Sequence, residues 1–187
     1  MRLKIPRVKP VEKSDWNAEQ LAAMGKASMD GKILNIFKTL VHHPSLAKRW
    51  MVFANHIMGK SSLSKRDREI VILRMGWQCK SGYEWGQHVV IAKDSDLNDE
   101  EIEHIKLGPD ENFWTSREHL LLKATDELHS DAFVSDVTWK KLEKHFSTQQ
   151  LMDIVFTAGQ YNLVSMVLNT FGVQLDEGMK LDDDLCV

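Results

Sequence analysis

The four prolines of this chain, at positions 6, 10, 44 and 109, leave long proline-free segments in which apolar residues recur every three or four positions. That spacing is the period of one helix face, and a residue able to cap a helix precedes each segment. Ser64 with Asp67, Asn98 with Glu101, Thr115 with Glu118 and Ser147 with Gln150 all resemble capping boxes. Ser14 or Asp15 is expected to open a helix reaching about Met29, and "DGKI" breaks it before a short helix through "LNIFKTLV". His43 precedes a proline at the first helical position, where its missing N–H costs little, and that helix should run to about Met58. Ser135 opens another. The last long segment, "STQQLMDIVFTAGQYNLVSMVLNTF", is apolar on nearly every side and is expected at the centre. No segment alternates as a strand would. The expected fold is all-α: one domain over residues 1–187, with eight or nine helices in a bundle.

A chain of 187 residues with 43% hydrophobic content can bury one core but hardly two. Its net charge of -3 comes from interspersed signs, with no basic face for nucleic acid and no polybasic cluster for an anionic membrane. The expected partners are therefore small molecules or copies of itself. Two cysteines, Cys79 and Cys186, are too few for a disulfide framework or a cysteine-rich zinc module, which fits a reducing cytoplasm. The basic N-terminus has no apolar run behind it, and no stretch approaches the roughly 18 apolar residues of a membrane span. Residues 177–187, ending "LDDDLCV", read as a frayed acidic tail.

The chemistry gathers around "QCKSGYEWGQH", residues 78–88. At 100° per residue, Glu69 falls among Ile72, Leu73 and Gly76, while Asp67, Arg74 and Gln78 form the opposite arc. An inward carboxylate must be paired, hydrogen-bonded or protonated, so its pKa is expected to rise. Ser81, Glu84, His88 and Ala92 form one stripe on the next segment, flanked by Trp85 and Ile91, which makes Glu84 and His88 neighbours one turn apart. If the "KSG" turn folds the two helices together, Glu69 reaches the same place, and two carboxyl groups with one imidazole make a proton-transfer site. Plainer readings stand beside it. Ser81 and Glu84 also have the S-x-x-E form of a capping box, and His88 can be a satisfied core histidine. Cys79 is either a thiol activated by the next helix N-terminus or a small buried hydrophobe. A metal held by Glu69, Glu84 and His88 is disfavoured, because the di-iron Glu-x-x-His pattern does not recur.

The stretch "RDREIVILRMGWQCKSGYEWGQHVVIA" resembles the carboxymuconolactone decarboxylase family, to which the AhpD-type alkylhydroperoxidases also belong, and the flanking helices are similar to that family's. The resemblance implies an AhpD-like helical bundle, no cofactor, and a homo-oligomer, trimer or hexamer. The family's peroxidase branch has a glutamate, a C-x-x-C pair, and a histidine four residues later. Glu69 and His88 match, but Ser81 and Glu84 stand at the cysteine positions. Without thiols there, a cycle through sulfenic acid and disulfide cannot run in the family manner. A glutamate four before the histidine resembles the decarboxylase branch instead, whose members act on a γ-carboxylated lactone. By that analogy His88 is the general acid/base, Glu84 its orienter and Glu69 a second proton carrier, acting on a small carboxylated or lactone-type substrate. Tyr83 and Trp85 supply pocket walls or interfaces. The nearby cations Arg66, Arg68 and Arg74 are not placed inward by this reading. Two rivals remain: a thiol peroxidase built on Cys79, and a non-catalytic ligand-binding oligomer.

Overall fold

Nine α-helices and no β-strand occur among the described residues of the structure, a computed structural model that describes residues 1–28, 31–110 and 112–186. In chain order they are α1 (Ala18–Met24), α2 (Asn35–Leu40), α3 (Pro44–Lys60), α4 (Lys65–Gln78), α5 (Gly82–Lys93), α6 (Asp99–Leu107), α7 (Ser116–Asp131), α8 (Asp136–Leu142) and α9 (Thr148–Phe171). The all-α expectation holds. Asn98, Thr115 and Ser147 close complete capping boxes with Glu101, Glu118 and Gln150. Ser64 accepts from the Asp67 backbone N–H, but Asp67 sends its carboxylate to Arg117 at 2.8 Å instead of back to the cap.

The first helix departs from the reading. It starts at Ala18, because Asn17 and Gln20 form the capping box, and residues 13–15 make only one tight turn. It stops at Met24; the expected end, Met29, lies outside the described residues.

The centre is α4, enclosed by α5, α7 and α9, and every residue from Asp67 to Gly76 is buried. The arc of Asp67 and Arg74 opposite Glu69, polar and so expected outward, is therefore inside too. Pairing makes this tolerable. Arg74 holds Asp126 at 2.6 and 2.9 Å and donates to the last carbonyls of α6, at Ile105 and Lys106. α9 is long and apolar enough to cross a membrane by length and composition, but 56% of its most apolar window is buried inside the protein.

The described part of the acidic C-terminal segment is docked on the fold, where the sequence led to a frayed tail. Leu185 is buried, its carbonyl accepts from the Met1 amino group at 2.6 Å, and Asp182 accepts from Lys106 at 2.8 Å and from the Trp85 indole at 3.1 Å. The segment lies on α5 where Gly82 has no side chain; a Cβ there would strike Leu181 at 2.4 Å. Leu185→Ala is expected to cost about 2–5 kcal/mol in urea denaturation, the ordinary cost of emptying a buried leucine site. A free tail would show no change.

Candidate active site

α4 and α5 meet as a helical hairpin. Cys79 caps α4, Lys80 turns the chain in the left-handed region at φ 51°, and Ser81 begins α5. Gly76 lets the two helices close, since a Cβ at that position would lie 3.4 Å from the Glu84 side chain. This approach carries Glu69 from one helix to His88 on the other.

His88 lies between two carboxylates. Its Nδ1 is 2.6 Å from Glu69 Oε2 and its Nε2 is 2.9 Å from Glu84 Oε1. Behind Glu69, Arg68 donates from Nε and Nη2 to Oε1 at 3.0 and 2.9 Å, and from Nη1 to the Met58 carbonyl of α3. The result is a buried row of alternating sign: Arg68, Glu69, His88, Glu84. Arg68 is the cation that the sequence did not place. Glu69 is completely buried, and His88 and Glu84 nearly so.

The S-x-x-E motif is not a cap. Ser81 makes no side-chain capping bond, its buried hydroxyl has no protein partner, and Glu84 turns to His88 instead of its own backbone. Imidazolium attraction outweighs one backbone N–H for that carboxylate.

Charge pairing also reverses the expected shift of Glu69. Burial alone pushes its carboxyl up, but His88 and Arg68 outweigh burial and hold it below the usual carboxylate range. Burial likewise pushes the His88 imidazole down, and Glu69 and Glu84 overcome that to raise it to about 10. His88 is thus an imidazolium with both N–H groups directed at carboxylates. No group of three or more metal-binding side chains occurs among the described residues.

His88 and Glu84 form part of the wall of a cavity of about 160 Å³. Its other walls are mainly apolar and aromatic: Ile36 and Phe37 of α2, Trp50 and Met58 of α3, and Tyr161 and Val164 of α9. Tyr161 sets its ring edge-to-face on His88 at 4.9 Å, and burial followed by the nearby Glu84 and Glu69 keeps its phenol protonated well above its ordinary range. Tyr83 and Gln87 also line the cavity, both donating to Asp176 Oδ2, at 2.5 and 2.7 Å. Asp176 Oδ1 accepts from the Asn35 backbone N–H at 2.8 Å, supplying α2 with the N-terminal cap that Leu34 cannot. One carboxylate from the far end of the chain therefore holds the α2 wall against α5.

The structure brings together Glu69, Glu84, His88 and Tyr83. Ser81 and Trp85 stand aside, Trp85 packing on Trp77 at 5.1 Å. Cys79 does not line the cavity; burial pushes its thiol up, more than Ser165 and Arg2 pull it down. Arg68, Gln160, Tyr161 and Asp176 were missed by the sequence reading. Gln160 and Tyr161 carried one signal, as polar groups on a helix apolar on nearly every side.

Residues 44–126, spanning α3 to α6, the His88 hairpin and most of α7, match the carboxymuconolactone decarboxylase family. The match is confined to this segment, less than half of the chain. The matched segment sits within a chain whose whole fold is AhpD-like. An alkylhydroperoxidase AhpD core, an uncharacterized peroxidase-related protein from Ralstonia eutropha JMP134, superposes with a TM-score of 0.76 at 18% identity, covering 98% of this chain and 95% of its own. A variant of the debrominase Bmp8 in complex with 2,3,4-tribromopyrrole gives 0.76 at 15% identity, covering 91% of each chain. An Agrobacterium tumefaciens protein of unknown function, a suggested AhpD antioxidant defence protein, gives 0.69 at 21%, covering 73% of this chain and 94% of that one. At these identities the likeness is one of fold. No curated protein matches the sequence.

The pairing predicts a stability profile. With His88 raised above its ordinary 6.5, its contribution is whole below about pH 6.5 and is lost as pH climbs through about 10. With Glu69 held below its ordinary 4.5, its contribution is present above about pH 4.5 and is lost on acidification through its lower folded value. Thermal midpoints measured across this range should fall on both sides, and His88→Gln should flatten the alkaline limb; an alkaline limb identical in that variant contradicts the pairing.

Proposed function

We propose that this chain is a cofactor-independent acid–base enzyme that moves a proton on a small carboxylated or lactone-type ring. The observation that carries the reading is the placement of His88 and Glu84, 2.9 Å apart on the wall of one largely apolar cavity. In this reading Glu84 takes a proton from the substrate carbon beside a carbonyl, and the electron pair left behind delocalises onto the carbonyl oxygen. The Glu84–His88 pair then returns a proton to carbon. Glu69, which does not line the cavity, orients the imidazole and keeps it charged, and Arg68 fixes Glu69. That division differs from the one the resemblance implies, because Glu84 is the carboxylate facing the cavity.

Similarity to the carboxymuconolactone decarboxylase family supports the substrate class. So does size: a cavity of about 160 Å³ matches the scale that accepts a single benzene-sized ring. The similarly folded debrominase that binds 2,3,4-tribromopyrrole is another single-ring precedent. A peroxidase built on Cys79 has less support, since its thiol is off the cavity and held protonated. The proposal includes a cytoplasmic homo-oligomer, trimer or hexamer. Its support is an exposed apolar stripe on α9 formed by Met152, Phe156, Leu163 and Met166.

The test is solvent exchange. Single-ring lactones incubated with the protein in deuterium oxide should take up deuterium beside the carbonyl, and Glu84→Gln and His88→Ala should each slow this by about a hundredfold or more. Cys79→Ser should leave the rate intact. A rate unchanged in His88→Ala would sink the assignment.

A further inference from the structure

The charge balance of the site limits what can enter it. Arg68, Glu69, His88 and Glu84 sum to zero, and each cation is committed: Arg68 to Glu69, His88 through both ring nitrogens to carboxylates. Among the described residues no lysine or arginine lines the cavity, whereas Glu84 does. An ionised ligand carboxylate would lie beside Glu84 among largely apolar walls with no lysine or arginine to pair it, an arrangement that partial burial penalises.

A second observation points to what the cavity accepts. Gln160, from α9, lines it and is only 3% exposed, and its Oε1 has no protein partner. Buried acceptors are rarely left unpaired, and a ligand donor would satisfy this one. Of the other polar walls, the Tyr83 hydroxyl and Gln87 amide donate to Asp176 and the Tyr161 hydroxyl donates to the Met58 sulfur at 3.0 Å, while Asn55 lines the exposed side of the cavity.

We propose that the cavity takes an uncharged single ring bearing an O–H or N–H donor, directed at Gln160 Oε1 and Glu84, and discriminates against the ionised carboxylate. This rests on reading the cavity as the substrate site, and it narrows the two substrate types to the uncharged one. Gln160 is thereby a specificity residue from a helix outside the family-matched segment.

Benzyl alcohol, toluene and sodium benzoate share a ring and differ in the polar group, so they serve as probes. Binding to the full chain near neutral pH, followed by NMR shifts of the His88 and Tyr161 rings, should rank benzyl alcohol first and benzoate at least about tenfold weaker. Gln160→Leu removes the acceptor with little change of volume and should bring benzyl alcohol down to the affinity of toluene, which itself stays unchanged. Benzoate binding as tightly as benzyl alcohol, or no ring perturbing His88, overturns the ligand class. If the ranking holds while the exchange assay fails, the acid–base reading is overturned and the ligand class stands.

Discussion

An imidazolium held between two buried carboxylates is the interaction on which the rest of this structure depends. A charge inside a protein is tolerable only when its partners are close and its hydrogen-bonding atoms are occupied. Here His88 is served by Glu69 on α4 and Glu84 on its own helix, and Glu69 is served by Arg68. Those requirements explain local choices that otherwise look arbitrary: a glycine at position 76 where the helices touch, a left-handed turn at Lys80, and a glutamate in the first turn of α5 that turns to His88 instead of its own backbone. Arg68 also reaches the Met58 carbonyl, so the same row of charges ties α3 to the hairpin. Removing an inner member, Glu69 or His88, would leave Arg68 or Glu84 as a buried charge without its ionic partner.

Around this row the fold builds an apolar chamber from parts far apart in sequence. α2 and α3 supply one wall, α9 the other, and Asp176 near the C-terminus fixes the N-terminus of α2. The docked end of the chain packs over α5 at Gly82 and Gly86, while Glu84 and His88 face the cavity. Largely apolar walls around one carboxylate let differences in ligand charge bear on what binds.

Much of this was legible in the sequence, for definite reasons. Helix period and capping residues placed most of the nine helices, and the stripe of Ser81, Glu84, His88 and Ala92 was buried as its spacing required. Glu69 stood out as a carboxylate on an apolar arc. Arg68 did not, because successive helical residues point about 100° apart and only the length of the arginine side chain lets it fold back onto its neighbour. The pKa of Glu69 was misjudged for the same reason: burial was foreseen, and the cation that outweighs it was not. S-x-x-E is written identically whether the glutamate caps a backbone or pairs with a histidine one turn on, and only the tertiary partner decides. Gln160, Tyr161 and Asp176 join the site through contacts separated by tens of residues, which no local pattern encodes.

The central claim is the protonation state of one ring. A ¹⁵N NMR titration of His88 in the intact protein reads both ring nitrogens directly. The pairing with Glu69 and Glu84 predicts that both stay protonated at neutral pH, losing a proton only toward about pH 10. A neutral tautomer at pH 7, with one unprotonated nitrogen, would contradict it.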